Sequence, residues 1–419
     1  MIFAGGKLLP DGELNSVLGG LEGDISRTLS GPPLETDAVL DALDSLGNEL
    51  DSGTLDGLIA QYAPPGTREE LDRVRPQISR KTLEARLNLE LGGLAGPRPF
   101  GRSEVRPLGV LLHVAPGNMA GLPAFTAVEG LLTGNINLVK LPHGDRGLTL
   151  AVFQKLTEIE PKLAPWLYAF DLPSKYSGSI QALARLAGGV VTWGGDGAVA
   201  AMRKLAPTGC KLIEWGHRLS FAYLSGWEGI DLSGLADHAV RTGGLLCSSC
   251  QVIYLDTDHL SVAERFCKIF LPLLAQAAAA HYRTPGQTAQ GALYARETAL
   301  EQMVDRAGSG DLNFPGRCCS LTLRRDGELE LSHLHGNVLV KRLPRQEIVP
   351  TLRRQRGRLQ TAGLLCPPSE REELSALLAR AGLNRITVPG HMSDTFPLES
   401  HDGEYPLRRY VRVVDIENP

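Results

Sequence analysis

From about residue 105 onward the chain repeats one pattern: a short β-rich apolar run, then Gly or Pro, then residues at helical spacing. Gly109-Val110-Leu111-Leu112-His113-Val114, Asn137-Leu138-Val139-Lys140 and Gly189-Val190-Val191-Thr192-Trp193 are three instances. Strands separated by helices read as a parallel sheet with helices on both faces, which predicts an α/β fold. A second region of this texture begins near residue 230, with Gln251-Val252-Ile253-Tyr254-Leu255, an apolar helix over 262–281, and strands around 319–324 and 336–341. Tyr410-Val411-Arg412-Val413-Val414 is a candidate terminal strand. Residues up to about 95 differ: apolar positions such as those in Ala38–Leu43 fall at helical spacing, with Gly31-Pro32-Pro33 and Ala63-Pro64-Pro65-Gly66 as interruptions. The expected organisation is a helical N-terminal region over 1–95, α/β domains over 96–225 and 226–390, and a C-terminal segment over 391–419.

At 419 residues the chain is too long for one ordinary core. Hydrophobic and charged fractions of 43% and 21% are those of a globular protein, and a net charge of -4 gives no electrostatic footprint for nucleic acid. The start lacks a basic n-region, and no uninterrupted apolar run reaches the roughly 18 residues a membrane span requires. Seven cysteines, an odd number at irregular spacing, do not form a secreted disulfide framework. The expectation is a soluble cytoplasmic protein with reduced thiols and no membrane span.

Cys247 lies in Gly243-Gly244-Leu245-Leu246-Cys247-Ser248-Ser249-Cys250, directly before a strand, where small residues allow close approach of backbone or substrate. A thiolate there is a candidate nucleophile able to form an acyl thioester; a buried structural thiol is the alternative. Cys247-x-x-Cys250 also has the spacing of a redox pair or half a zinc site. The adjacent Cys318-Cys319 cannot supply a matching second pair, so no metal is expected. Gly194 and Gly195 follow a β-run and open a helical pattern, a place where backbone N–H groups can face a phosphate; a plain strand-to-helix turn reads the same way. Glu214, within Leu212-Ile213-Glu214-Trp215-Gly216-His217, has apolar neighbours, which predicts a desolvated carboxyl with a raised pKa suited to acid–base work. A partly exposed glutamate at a strand end fits that stretch equally.

Taken in order, these segments resemble the aldehyde dehydrogenase superfamily over roughly residues 100–415. Pro116-Gly117-Asn118 resembles the segment whose asparagine holds the oxyanion, and Leu138-Val139-Lys140-Leu141-Pro142 the strand end that contacts the adenosine ribose. Trp193-Gly194-Gly195-Asp196 resembles the turn at the pyrophosphate, Ile213-Glu214-Trp215-Gly216 the segment with the general base, and Glu347-Ile348-Val349-Pro350 the segment that holds the nicotinamide ribose. Glu214 precedes Cys247 by 33 positions, similar to the family's interval between base and nucleophile. Within the superfamily Cys247-Ser248-Ser249-Cys250-Gln251, Phe396-Pro397-Leu398, His401-Asp402-Gly403 and Arg409–Arg412 are similar to the long-chain acyl-CoA reductases of bacterial luminescence systems.

The resemblance implies a Rossmann-like cofactor domain over 96–225, a catalytic cysteine domain over 226–390, and reduction of an acyl-CoA or acyl-carrier thioester to an aldehyde. It also implies a homo-oligomer and a partner synthetase that activates the acyl group. Three positions depart from the family pattern: Leu245 two before the nucleophile, His143 where an acid faces the ribose, and Ile348-Val349 after Glu347. Loss of an acid at 143, with Arg146 nearby, removes repulsion against a 2′-phosphate and tilts the cofactor toward NADPH, with NADH as the alternative. Glu214 keeps aldehyde oxidation open as a second function, since a base there activates water. A cysteine acyltransferase or hydrolase using His217 or His238, and a scaffold that only retains the fold, are further classes. Arg353-Arg354-Gln355-Arg356-Gly357-Arg358 is the strongest charge run; it reads as a solvated face or as a patch for coenzyme A phosphates or an acidic partner.

Overall fold

The computed structural model describes residues 1–117, 120–281, 283–304 and 310–418. The chain divides into two compact units, Met1–Gly216 with Thr395–Pro419, and His217–Asp394.

The first unit holds β1 (Ile2–Ala4), β2 (Lys7–Leu9), β3 (Gly96–Arg98), β4 (Gly101–Pro107), β5 (Val110–Val114), β6 (Ile136–Lys140), β7 (Leu167–Phe170), β8 (Gly189–Trp193) and β9 (Lys211–Trp215). Its main sheet runs β2-β1-β7-β6-β5-β8-β9, parallel from β7 to β9. The order reverses beside β5, and in open parallel sheets ligands bind at the carboxyl ends flanking such a reversal. Helices α1 (Leu14–Ser30), α2 (Thr36–Asp51), α3 (Asp56–Tyr62), α4 (Thr67–Val74) and α5 (Arg80–Leu91) lie between β2 and β3 in sequence. The crossovers carry α6 (Leu122–Leu132), α7 (Leu148–Ile159), α8 (Ser177–Leu186) and α9 (Asp196–Leu205). Residues 1–95 do not stand apart: Leu40, Leu43 and Leu83 join the core of this unit, and β1 pairs antiparallel with β7. Three-residue strands show no sequence periodicity, so this pairing escapes a pattern reading.

The second unit holds β10 (Leu219–Leu224), β11 (Cys250–Leu255), β12 (Leu312–Gly316), β13 (Cys319–Leu323), β14 (Asn337–Arg342), β15 (Leu359–Leu365) and β16 (Arg385–Thr387). Its helices include α10 (Ser233–Thr242), α11 (Leu260–Ala280), α12 (Pro285–Val304), α13 (Ile348–Leu352) and α14 (Arg371–Ala381). The sheet order is β12-β13-β14-β11-β10-β15-β16, parallel except for the β12–β13 hairpin. Side-chain alternation splits its core in two: Ala222, Leu224 and Ile253 pack with Phe266 and Phe270, while Phe221, Tyr223 and Val252 pack with Ile348, Leu374 and Leu378. Both faces are therefore covered, which is why β10 and β11 are buried along their whole length and read as largely apolar runs.

The last strand, β17 (Val411–Glu417), returns to the first unit and pairs antiparallel with β4. The expected domain limits at 225 and 390 fall at 216 and 394. A buried network ties this C-terminal segment down. Arg86 Nε lies 2.6 Å from Glu90 Oε1 and Arg86 Nη2 lies 2.5 Å from Glu129 Oε1. The Tyr410 hydroxyl donates to Glu129 over 3.0 Å, and the Leu407 N–H donates to Glu90 over 2.7 Å.

Candidate functional site

The nucleophile candidate belongs to the second unit. α10 ends in Gly243 with left-handed backbone, and Gly244 follows at φ 78. A Cβ on Gly244 would sit 2.9 Å from the Leu334 side chain, so only glycine fits both its backbone and its space. Cys247 then lies in a turn ahead of β11, half-buried. Ser220 Oγ donates to the Cys247 carbonyl over 2.7 Å and accepts the Thr361 N–H over 3.0 Å. Gln251 donates to the Gly244 carbonyl and accepts from both the N–H and hydroxyl of Ser332. The Leu246 N–H is capped by Ser249 Oγ at 2.9 Å, and Ser248 meets Ser393 at 2.7 Å. A loop tied to β10, β15 and the 332 segment presents its thiol from a fixed backbone, as nucleophilic attack requires.

The structure separates the two thiols of Cys247-x-x-Cys250. Cys250 is fully buried, and burial pushes its thiol up to about 12. Cys267 and Cys319 are pushed up to about 12 and about 11 by the same cause. Such groups stay protonated and inert near neutrality. Among the described residues no group of three His, Cys, Asp or Glu is placed to hold a metal ion. His238, on α10, is buried, and burial lowers its pKa to about 4, which makes it a weak proton acceptor at pH 7. Glu347 is exposed in the turn before α13, a turn fixed by the forked contacts of Arg345 to Asp256 and Glu370.

The cofactor candidates belong to the first unit and gather at the carboxyl ends of its parallel strands. Lys140 closes β6 and is buried; desolvation lowers its pKa and Asp171 acts in the opposite sense. His143 and Arg146 are exposed on the turn that follows. Gly194 has φ 151, and its N–H reaches the Trp215 carbonyl over 3.2 Å. Gly195 caps α9, and a Cβ built there meets nothing within 4 Å, which leaves room for a phosphate above the helix start. The switch-point position, the buried cation and this open turn together fit a nicotinamide dinucleotide. Asn118, expected at the oxyanion, lies outside the described residues.

Glu214 departs from expectation. It sits on β9, and Arg203 in the last turn of α9 donates Nε to Oε1 over 2.5 Å and Nη2 to Oε2 over 2.6 Å. This two-point hydrogen bond lowers the carboxyl pKa, where apolar surroundings had predicted a raised one. The neighbours Ile213 and Trp215 are the buried ones, and strand alternation turns Glu214 to the opposite side. Sequence reading missed Arg203, because nothing local links the helix position to the strand. It also missed an aromatic cluster at these strand ends: Trp193 and Trp215 lie 5.5 Å apart, with His401 5.1 Å and 4.9 Å from them.

Comparison with solved structures defines the class: this is the aldehyde dehydrogenase fold. An aldehyde dehydrogenase, PutA, from Anabaena variabilis matches with a TM-score of 0.68 and 14% identity, covering 97% of this chain and 92% of that one. A 3,6-anhydro-L-galactose dehydrogenase solved with NAP matches at 0.68 and 14%, covering 99% and 98%. A variant of aldehyde dehydrogenase C from Pseudomonas syringae, solved with NAD+ and octanal, matches at 0.70 and 11%, covering 96% and 88%. Among curated proteins none matches the sequence. Within the class, the acyl-CoA reductase (LuxC) family model matches residues 32–413, so the chain belongs to that family and is an oxidoreductase. Family and fold together support acyl reduction or aldehyde oxidation. Among the described residues no helix is long and apolar enough to cross a membrane.

Proposed function

We propose that the chain reduces a long-chain acyl thioester to an aldehyde with NADPH, through an acyl-enzyme on Cys247. The observation that favours reduction over oxidation is the Arg203–Glu214 clamp. Aldehyde oxidation needs a base to deliver water to the thioester, and a carboxylate holding two guanidinium N–H groups with a lowered pKa is a weak one. A reductase gains from a thioester that resists water.

In the proposed cycle the Cys247 thiolate attacks the thioester carbonyl carbon, the carbon–sulfur bond to coenzyme A breaks, and the departing thiolate takes a proton from solvent. The Cys247 N–H and the Asn118 side chain are the expected oxyanion donors, each worth about 10²–10³ in rate. A reduced nicotinamide, when bound, supplies hydride to the carbonyl carbon of the new thioester. Collapse of the resulting thiohemiacetal oxyanion frees the aldehyde and restores the Cys247 thiolate. Lys140, Gly194 and Gly195 would hold the dinucleotide, and Glu347 its nicotinamide ribose. Exposed His143 and Arg146, with no acid between Lys140 and His143, suit a 2′-phosphate. Neighbours of this fold solved with NAP, and with NAD+ and octanal, support a nicotinamide dinucleotide and an aliphatic aldehyde here.

The test is single-turnover NADPH oxidation with a long-chain acyl-CoA, beside NADP+ reduction with the matching aldehyde. Thioester-dependent NADPH oxidation that releases aldehyde and disappears in Cys247→Ala is the expected result. Turnover confined to aldehyde plus water, or acyl labelling retained in Cys247→Ala, would overturn it; better turnover with NADH would remove the cofactor assignment alone.

A further inference from the structure

Parallel pairing of β10 with β15 sets Leu219 opposite Leu359, so Arg218 and Arg358 enter the sheet side by side. The Leu219 N–H donates to the Arg358 carbonyl over 2.7 Å, and the Arg218 guanidinium donates to the Gly357 carbonyl. Arg353, Arg356 and Arg358 are exposed on two successive turns before β15, closed by Arg356 N–H to the Arg353 carbonyl at 3.1 Å and Arg358 N–H to the Gln355 carbonyl at 2.9 Å. Arg354 of the same run also reaches a neighbouring side chain, Glu328, at 2.8 Å. Arg218 and the arginines of the 353–358 run, up to 140 positions apart in sequence, are thus brought by the chain to one edge of the second unit.

That edge is also where Cys247 sits. Ser220, two residues after Arg218, holds the Cys247 carbonyl and the Thr361 N–H, and Ser220 is in register with Cys250 on β11. The thiol loop and the backbone at Arg218 and Arg358 are therefore offset by one to two strand spacings, about 5–10 Å. An acyl-CoA carries its thioester at one end of a flexible pantetheine arm and a diphosphate and 3′-phosphate at the other. Planar guanidinium forks match phosphate oxygens with paired N–H donors.

We propose that Arg218, Arg353, Arg356 and Arg358 form the phosphate-binding subsite for the coenzyme A portion of the substrate. This rests on the reading of Cys247 as the nucleophile and an acyl thioester as substrate. The subsite selects nucleotide-bearing thioesters over shorter ones without touching the acyl chain.

The experiment compares a long-chain acyl-CoA with the same acyl group on pantetheine, which lacks phosphates. In Arg356→Gln/Arg358→Gln and in Arg218→Gln the KM for acyl-CoA should rise about tenfold per guanidinium lost, the scale of a charge-assisted hydrogen bond, while the KM for acyl-pantetheine does not follow. Equal rises for both thioesters, or none for acyl-CoA, overturn the proposal. Should the variants fold poorly, the wild-type enzyme serves: added salt should raise KM for acyl-CoA more steeply than for acyl-pantetheine, and parallel curves overturn it. Titration with coenzyme A alone separates this idea from the catalytic reading. Binding that weakens in the arginine variants supports the subsite even where no thioester is reduced, whereas reduction of acyl-pantetheine with no binding of coenzyme A defeats the subsite and leaves the reductase standing.

Discussion

Replacing Arg203 with Met releases the carboxylate that the proposed reductase keeps occupied. Arg203 lies in the last turn of α9 with its side chain 62% exposed, and Met is as good a helix former, so the fold should tolerate the change. Two hydrogen bonds of 2.5 and 2.6 Å are lost from Glu214, whose own side chain is 26% exposed. Solvent screens a pair this open, so the carboxylate gains roughly two- to fivefold in availability rather than the larger factor a buried pair would yield. The assay loads the enzyme with acyl-CoA in the absence of NADPH and follows release of free acid. Arg203→Met should hydrolyse its acyl-enzyme roughly two- to fivefold faster, and Arg203→Met/Glu214→Gln should return to the wild-type rate or below. The pH profile carries a sign as well. Arg203 lowers the Glu214 pKa, so in the wild type the basic form survives to lower pH, and the acid limb of residual hydrolysis should move upward in Arg203→Met. An unchanged hydrolysis rate, or an increase that persists once Glu214 is Gln, would refute the idea that the clamp suppresses water attack.

Two stability predictions follow from buried ionisable groups. His113 in the first unit and His238 in the second are each lowered by burial from 6.5 to about 4, so below pH 6.5 the unfolded chain takes up protons that the folded chain refuses. Stability is therefore full above that pH and falls as pH drops toward 4, by about 3 kcal/mol per histidine; urea unfolding of His113→Gln should show a shallower acid dependence, and an unchanged slope would count against the assignment. Arg86→Met leaves Glu90 and Glu129 buried without their cation and should cost about 3–5 kcal/mol, whereas Arg86→Met/Glu90→Gln/Glu129→Gln should recover part of it. A loss under about 1 kcal/mol, the range of exposed pairs, would mean that the network is solvated.

The parallel strands were legible because burial on both faces leaves largely apolar runs, and β5, β6, β8 and β11 lie where those runs fall. The family was legible as an ordered series of short segments, because their order along the chain is itself a pattern that a single sequence carries. What a single chain hides is pairing across distance. Arg354 and its neighbours announce a charge run, but their companion Arg218 joins them only through the register of β10 with β15. The pairing of Arg203 with Glu214 depends likewise on where α9 lies against β9. The environment of Glu214 was partly readable: of the two readings open from its neighbours, the partly exposed glutamate on a strand is the one the structure has. In a strand the residues at i−1 and i+1 occupy the opposite face, so buried Ile213 and Trp215 argue that Glu214 turns away from their core. The same alternation lets the pKa of a carboxylate on this strand be set from outside the sheet, by the cation that the crossing helix supplies. A change in that helix alone should therefore shift the balance between reduction and hydrolysis with Cys247 and Glu214 both intact.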